Sequence, residues 1–96
     1  MNRNSDIQVD MAALRKQMVG KKYCHFKGNF YIVDGLALHS ETEESYVVYH
    51  REGHDGELWI RPLNMFLSPV DKAKYPDVQQ EFRFEMVYEE VKSCDN

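Results

Sequence analysis

Cysteine is scarce in this 96-residue chain, with two residues only, Cys24 and Cys94. They lie far apart and fit no metal-ligand spacing, so both read as free thiols in a reducing compartment. No Cys-x-x-Cys or His-x-His pattern occurs. The closest approach to a ligand set, His50 and His54 beside Asp55, straddles a strand end and a loop, so no metal is expected. Gly-rich phosphate loops are absent, and no cofactor is implied. No run approaches the roughly 18 apolar residues of a membrane span. The polar start, with Asp6 and Asp10, lacks a secretory pattern, so the expected location is cytoplasmic with no membrane partner. Bases are also short: 12 Lys and Arg face 16 Asp and Glu, a formal charge of −4. That balance argues against bulk attraction to DNA. The deficit is uneven, because Lys21, Lys22 and Lys27 share an acid-free stretch while Glu41, Glu43, Glu44, Glu52, Asp55 and Glu57 crowd the middle.

Aromatic residues are plentiful: six Tyr, five Phe and one Trp. Such side chains suit a pleated, half-buried surface, and composition therefore leans towards strands. The length fits one domain.

Residues 5–19 read as a helix. Ile7, Met11, Leu14 and Met18 fall on one face, Ser5 or Asp6 can cap the start, and Gly20 is a stop. From Lys22 the apolar period changes to two. Lys22 to Phe26 is a first strand, followed by a tight turn in which Gly28 and Asn29 can take positive φ. Phe30 to His39 is a second strand bent at Asp34-Gly35, where an isolated Gly signals a bulge. Ser45 to Arg51 is the third strand and Leu58 to Arg61 the fourth, ended by Pro62. Leu63 to Phe66 fits one helical turn, Ser68 to Gln80 a polar extended loop, and Glu81 to Val87 a fifth strand. The pattern predicts a mainly β protein, a small SH3-like five-stranded antiparallel barrel or roll with an N-terminal helix. Its expected organisation is a helical extension over 1–19, the barrel over 20–87 and a charged tail over 88–96.

His25-Phe-Lys-Gly-Asn29, Tyr31-Ile-Val33, Ala37-Leu-His-Ser-Glu-Thr42, Val47-Val-Tyr49, Leu58-Trp-Ile-Arg-Pro-Leu63, Met65-Phe66 and Arg83-Phe84 occur in this order. Together they resemble the bacterial domain of unknown function numbered 1653, over roughly residues 20–87. The resemblance implies an SH3-type β roll and brings no activity, cofactor or catalytic residue with it. Family members tend to carry a Leu-Tyr-Gly run between the third and fourth strands, where this chain has Glu52-Gly53-His54-Asp55.

Three constellations carry possible chemistry. His39-Ser40-Glu41-Thr42 is the most polar block. Adjacent residues on an extended chain face opposite ways, so His39 is badly placed to activate Ser40, although Glu41 could orient its ring. Turn-building explains the same residues, since Ser40 and Glu43 have capping-box spacing. Trp59 and Arg61 share one face of a strand and, with Tyr49 beside them, make a platform for an anion and a flat ring. The plainer explanation puts Trp59 in the core and a glutamate on Arg61. Tyr23, His25 and Lys27 form a strip that is either a solvated face or a binding ridge.

The principal functional reading is a binding module that recognises a nucleotide, nucleic acid or peptide through Tyr23, His25, His39, Ser40, Glu41, Thr42, Tyr49, Trp59 and Arg61. An alternative is an assembly protein, a homo-oligomer formed through Ile7, Met11, Leu14 and Met18. A third is a small enzyme using His39, with Glu41 as orienter and Arg61 holding an anion. The balance of the residues is against catalysis.

Overall fold

The computed structural model describes residues 10–88. Helix α1 (Met11–Met18) is followed by strands β1 (Lys22–His25), β2 (Phe30–Leu38), β3 (Ser45–Arg51) and β4 (Trp59–Pro62), the short helix α2 (Leu63–Phe66) and strand β5 (Phe84–Met86). All pairings are antiparallel, in one sheet of order β4-β3-β2-β1-β5.

The helix begins at Met11, where Asp10 caps it by accepting the Ala13 N–H at 3.3 Å. The expected start at Ser5 or Asp6, and Ile7, lie outside the described residues. Gly20 takes φ 84°, a left-handed value that favours glycine, and its N–H binds the Val33 carbonyl at 2.8 Å. The stop therefore also ties the helix to β2. Met18 is buried in the core, and Met11 and Leu14 pack against it. Of the described part of the stripe, Met18 is buried and Met11 and Leu14 are half-buried.

In the turn after β1, Gly28 alone takes positive φ, while the His25 N–H reaches the Asn29 carbonyl at 2.8 Å. The bulge falls at Asp34, between Val33 and Gly35. Inserting one residue reverses the alternation, so Val33 and Leu36 both face the core. Pro62 closes β4 opposite Tyr46 instead of lying beyond it, and β5 is shorter at both ends than the sequence pattern predicts.

The sheet is curled but open. β4 and β5 are its two edges, with no ladder between them, so of the expected barrel or roll the five antiparallel strands are present without closing into a barrel. Four strand spacings separate the edges, about 19 Å along a flat sheet. Yet the Arg61 guanidinium on β4 lies 5.3 Å from the centre of the Phe84 ring on β5. Only strong curvature permits that approach. The bulge supplies part of it, and aromatic side chains fill the concave face. Phe66 stacks on Phe84 with ring centres 4.1 Å apart, and Tyr23 meets Phe66 edge-on at 5.2 Å. The ring column is dry: Phe66 and Val47 are fully buried.

The polar loop 68–83 is ordered as a flap over the other side of β1. Its two arms pair through a Pro69–Phe82 bridge, and the Arg83 N–H binds the Ser68 carbonyl at 3.0 Å. Buried Gln80 donates to the carbonyls of Cys24 and Phe82, each at 2.9 Å, and Lys72 Nζ reaches the carbonyls of Val78 (2.6 Å) and Gln80 (2.9 Å). Cys24 is disulfide-bonded, so the free-thiol reading fails for it and the inferred reducing compartment loses its basis. The sequence's other cysteine, Cys94, lies outside the described residues. A disulfide sulfur carries no hydrogen, so the 3.5 Å approach of Gln80 Oε1 to Cys24 Sγ is a contact, not a thiol hydrogen bond. Among the described residues no helix is long and apolar enough to cross a membrane.

Candidate functional site

Where the two edges of the curled sheet approach, the flap leaves a cleft of about 350 Å³ lined by His25, Phe26, Lys27, Arg61, Asp71, Lys74, Tyr75 and Arg83. Four fixed cations meet one carboxylate there, in a chain whose net charge is −4. Each cation arrives on a different part of the fold: Lys27 on the turn after β1, Arg61 on β4, Lys74 on the flap and Arg83 just before β5.

Arg61, Lys27 and Lys74 lie against groups that do not cancel their charge. The Arg61 Nε donates to the Tyr49 hydroxyl at 3.2 Å while its guanidinium covers Phe84. Lys27 Nζ lies 5.8 Å from the Phe26 ring centre and 5.7 Å from that of Tyr75; Lys74 Nζ approaches Tyr75 at 5.6 Å. Among the described residues none of the four forms an ion pair. Asp71 is occupied locally, its Oδ1 accepting the backbone N–H groups of Ala73 (3.1 Å) and Lys74 (3.3 Å). That turn presents Lys74 and Tyr75 to the cleft.

His25 is the titratable group of the cleft. Its ring is held among aromatic neighbours, with centres 4.6 Å from Phe26 and 4.7 Å from Phe84. Burial, then the charges of Arg61, Lys27 and Arg83, push its pKa down to about 4. It is neutral at pH 7. Its Nδ1 accepts the Lys27 backbone N–H at 3.1 Å, so the ring proton sits on Nε2. The site thus has one neutral donor of fixed tautomer among four cations.

The residues expected from sequence divide sharply. His25 and Arg61 line the cleft. Tyr49 does not; it is buried and positions Arg61 from behind. Tyr23 is a core ring whose phenol is raised to about 12, by burial first and then by the Tyr88 phenol. Trp59 stands on the open edge of β4, 51% exposed, and is no part of the cleft. His39, Ser40, Glu41 and Thr42 form the β2–β3 turn. There His39 Nδ1 accepts the N–H groups of Glu41 (3.1 Å) and Thr42 (3.2 Å), and Thr42 Oγ1 accepts that of Glu44 (3.1 Å). The turn is built by His39 and Thr42, and Glu43 within it takes φ 62°. Among the described residues no group of three or more His, Cys, Asp or Glu is arranged to hold a metal ion.

Lys74, Tyr75 and Arg83 were not singled out by sequence reasoning. The available signal was the Lys74-Tyr75-Pro76 step inside a polar loop, which shows its role only once the loop folds over β1.

No curated protein and no solved structure matches the chain. Residues 21–86 match the family described as Protein of unknown function (DUF1653), a span that takes in every strand and all eight residues lining the cleft. This chain belongs to that family.

Proposed function

We propose that the domain is a binding module for a small phosphorylated ligand, held in the cleft by Lys27, Arg61, Lys74, Arg83 and the Nε2–H of His25. The observation that carries this reading is the convergence, from four separate segments, of four cations that form no ion pair among the described residues, at the place where the two edges of the curled sheet approach. Like charges brought together cost free energy, and an anion between them recovers it. Arginine and a neutral imidazole donor suit phosphate oxygens, and the Tyr75 and Phe26 rings offer a flat apolar wall for an attached ring.

Charge distribution separates a small ligand from a polymer. A nucleic-acid strand needs a basic track along its backbone, whereas these four cations meet in one cleft and acids outnumber bases in the rest of the sequence. Peptide recognition has less behind it, because the expected aromatic groove around Trp59 is not formed at the cleft. A roll of the SH3 type is the fold-level counterpart of this reading.

The test is titration of the full chain with adenosine 5′-monophosphate, adenosine and inorganic phosphate, followed by backbone amide shifts. The nucleotide and phosphate are expected to move the signals of Lys27, Lys74 and Tyr75, and adenosine to leave them in place. Lys27→Gln with Lys74→Gln is expected to weaken binding several-fold without loss of fold, since each exposed charge contributes up to about 1 kcal/mol. Lys16→Gln on the helix serves as the control. Equal binding of adenosine and its monophosphate would remove the reading.

A further inference from the structure

The cleft has an inside and a rim. His25, Arg61 and Arg83 are half-buried in it, whereas Lys27, Lys74 and Asp71 are exposed at its mouth. The inside ends on the aromatic column. The Phe84 ring lies 4.7 Å from that of His25 and 5.3 Å from the Arg61 guanidinium, and it stacks in turn on the fully buried Phe66. A ligand therefore enters past Lys27 and Lys74, where the Phe26 and Tyr75 rings meet edge-on at 5.0 Å.

Hydrogen-bonding capacity divides the same way. All three inner side chains donate: the two guanidinium groups keep their protons, and the imidazole presents Nε2–H because its Nδ1 already accepts the Lys27 backbone N–H. The one carboxylate of the cleft stands at the rim, with Oδ1 taken by the N–H groups of Ala73 and Lys74. A phosphate oxygen that kept its proton would meet no acceptor among those inner side chains. A phosphate with one organic substituent presents three terminal oxygens and, once ionised, two negative charges. One with two substituents has a single charge, and both substituents must turn back through the same mouth. Four cations against one carboxylate leave an excess positive charge that a dianion offsets more fully than a monoanion.

Resting on the phosphate reading, we infer that the ligand is a phosphomonoester taken as its dianion, its terminal oxygens inserted first against His25, Arg61 and Arg83. Its organic part then lies at the rim beside Tyr75. Phosphodiesters bind the same cleft more weakly.

The test compares adenosine 5′-monophosphate with its methyl ester, a phosphodiester of nearly the same shape, by amide shifts of the full chain. The monoester is expected to bind at least about tenfold tighter at about pH 7.5. That advantage is expected to shrink about fourfold at about pH 5.5, because the monoester takes up its second proton near pH 6 and the diester does not. The groups facing His25 are Lys27 from the turn, Arg61 from β4, Asp71 and Lys74 from the flap, Arg83 from before β5 and the Tyr31 phenol from β2. Any titration among them acts on both ligands and cancels in the ratio. Arg83→Gln is expected to cut the advantage several-fold, whereas Lys74→Gln at the rim weakens both ligands alike. If Arg83→Gln fails to fold, the ratio at the two pH values in the unaltered chain gives the answer. A ratio near one at neutral pH, or a ratio indifferent to pH, overturns the inference and leaves the phosphate site standing. If neither ester nor inorganic phosphate binds, the phosphate reading falls and takes this inference with it.

Discussion

Two histidines of this protein use the same local device and end in opposite situations. His25 ends β1 and His39 follows β2, and each accepts the backbone N–H two residues ahead through Nδ1, at 3.1 Å in both cases. That device is written in the chain. His39 then points into an exposed turn beside Glu41, Glu43 and Glu44. His25 is held against Phe26 and Phe84, with burial first and then three cations depressing its pKa. Local sequence fixes the ring's tautomer; what surrounds the ring, and so what it can do, is decided by segments far away in the chain.

The comparison breaks most severely at the ring column behind His25. Phe66→Ala removes a fully buried ring stacked on Phe84, and is expected to cost about 3–5 kcal/mol in chemical denaturation. The wall of the cleft is lost before the β2–β3 turn is touched.

A subtler break is by pH. Because His25 titrates near 4 when folded and near 6.5 when unfolded, the unfolded chain takes up a proton between those values that the folded chain refuses. Stability from this group is therefore complete above pH 6.5 and is lost as pH falls towards 4. The loss is on the order of 2 kcal/mol after allowing for the ring's partial exposure. Urea midpoints across that window are expected to fall less in His25→Asn. Sulfate, which stays fully ionised there, is expected to raise the His25 pKa followed by NMR, since a bound anion favours the imidazolium.

The smallest effect belongs to the other histidine. His39→Ala removes two turn hydrogen bonds at a solvent-exposed site and is expected to cost up to about 1 kcal/mol, with phosphate binding unchanged. Loss of binding in that variant would return the site to the β2–β3 turn.

The strands, the Gly35 bend and the helical turn at Leu63–Phe66 were legible because each rests on local periodicity or on a residue with special backbone freedom. Arg61 was legible as a candidate for a similar reason, since its spacing from Trp59 fixes a shared face. The same spacing misled about Trp59. Sharing a face does not say whether that face is covered, and at the edge of an open sheet it is not. Tyr23 and Tyr49 looked like ligand contacts because a phenol suits both a wall and a core; edge-on contacts with Phe66 put them in the core. The pairing of Cys24 is a non-local fact that no local pattern states.

The chain by itself determined a β protein with one helix, a kink after Val33, the Nδ1 bonds of two histidines and the acid-free stretch that holds Lys27. These follow from neighbours within a few residues. Only the tertiary structure decided that the sheet stays open, that the flap folds over β1, and that Lys27, Arg61, Lys74 and Arg83 converge around one imidazole. Curvature summed over five strands set those distances, and no single segment encodes it.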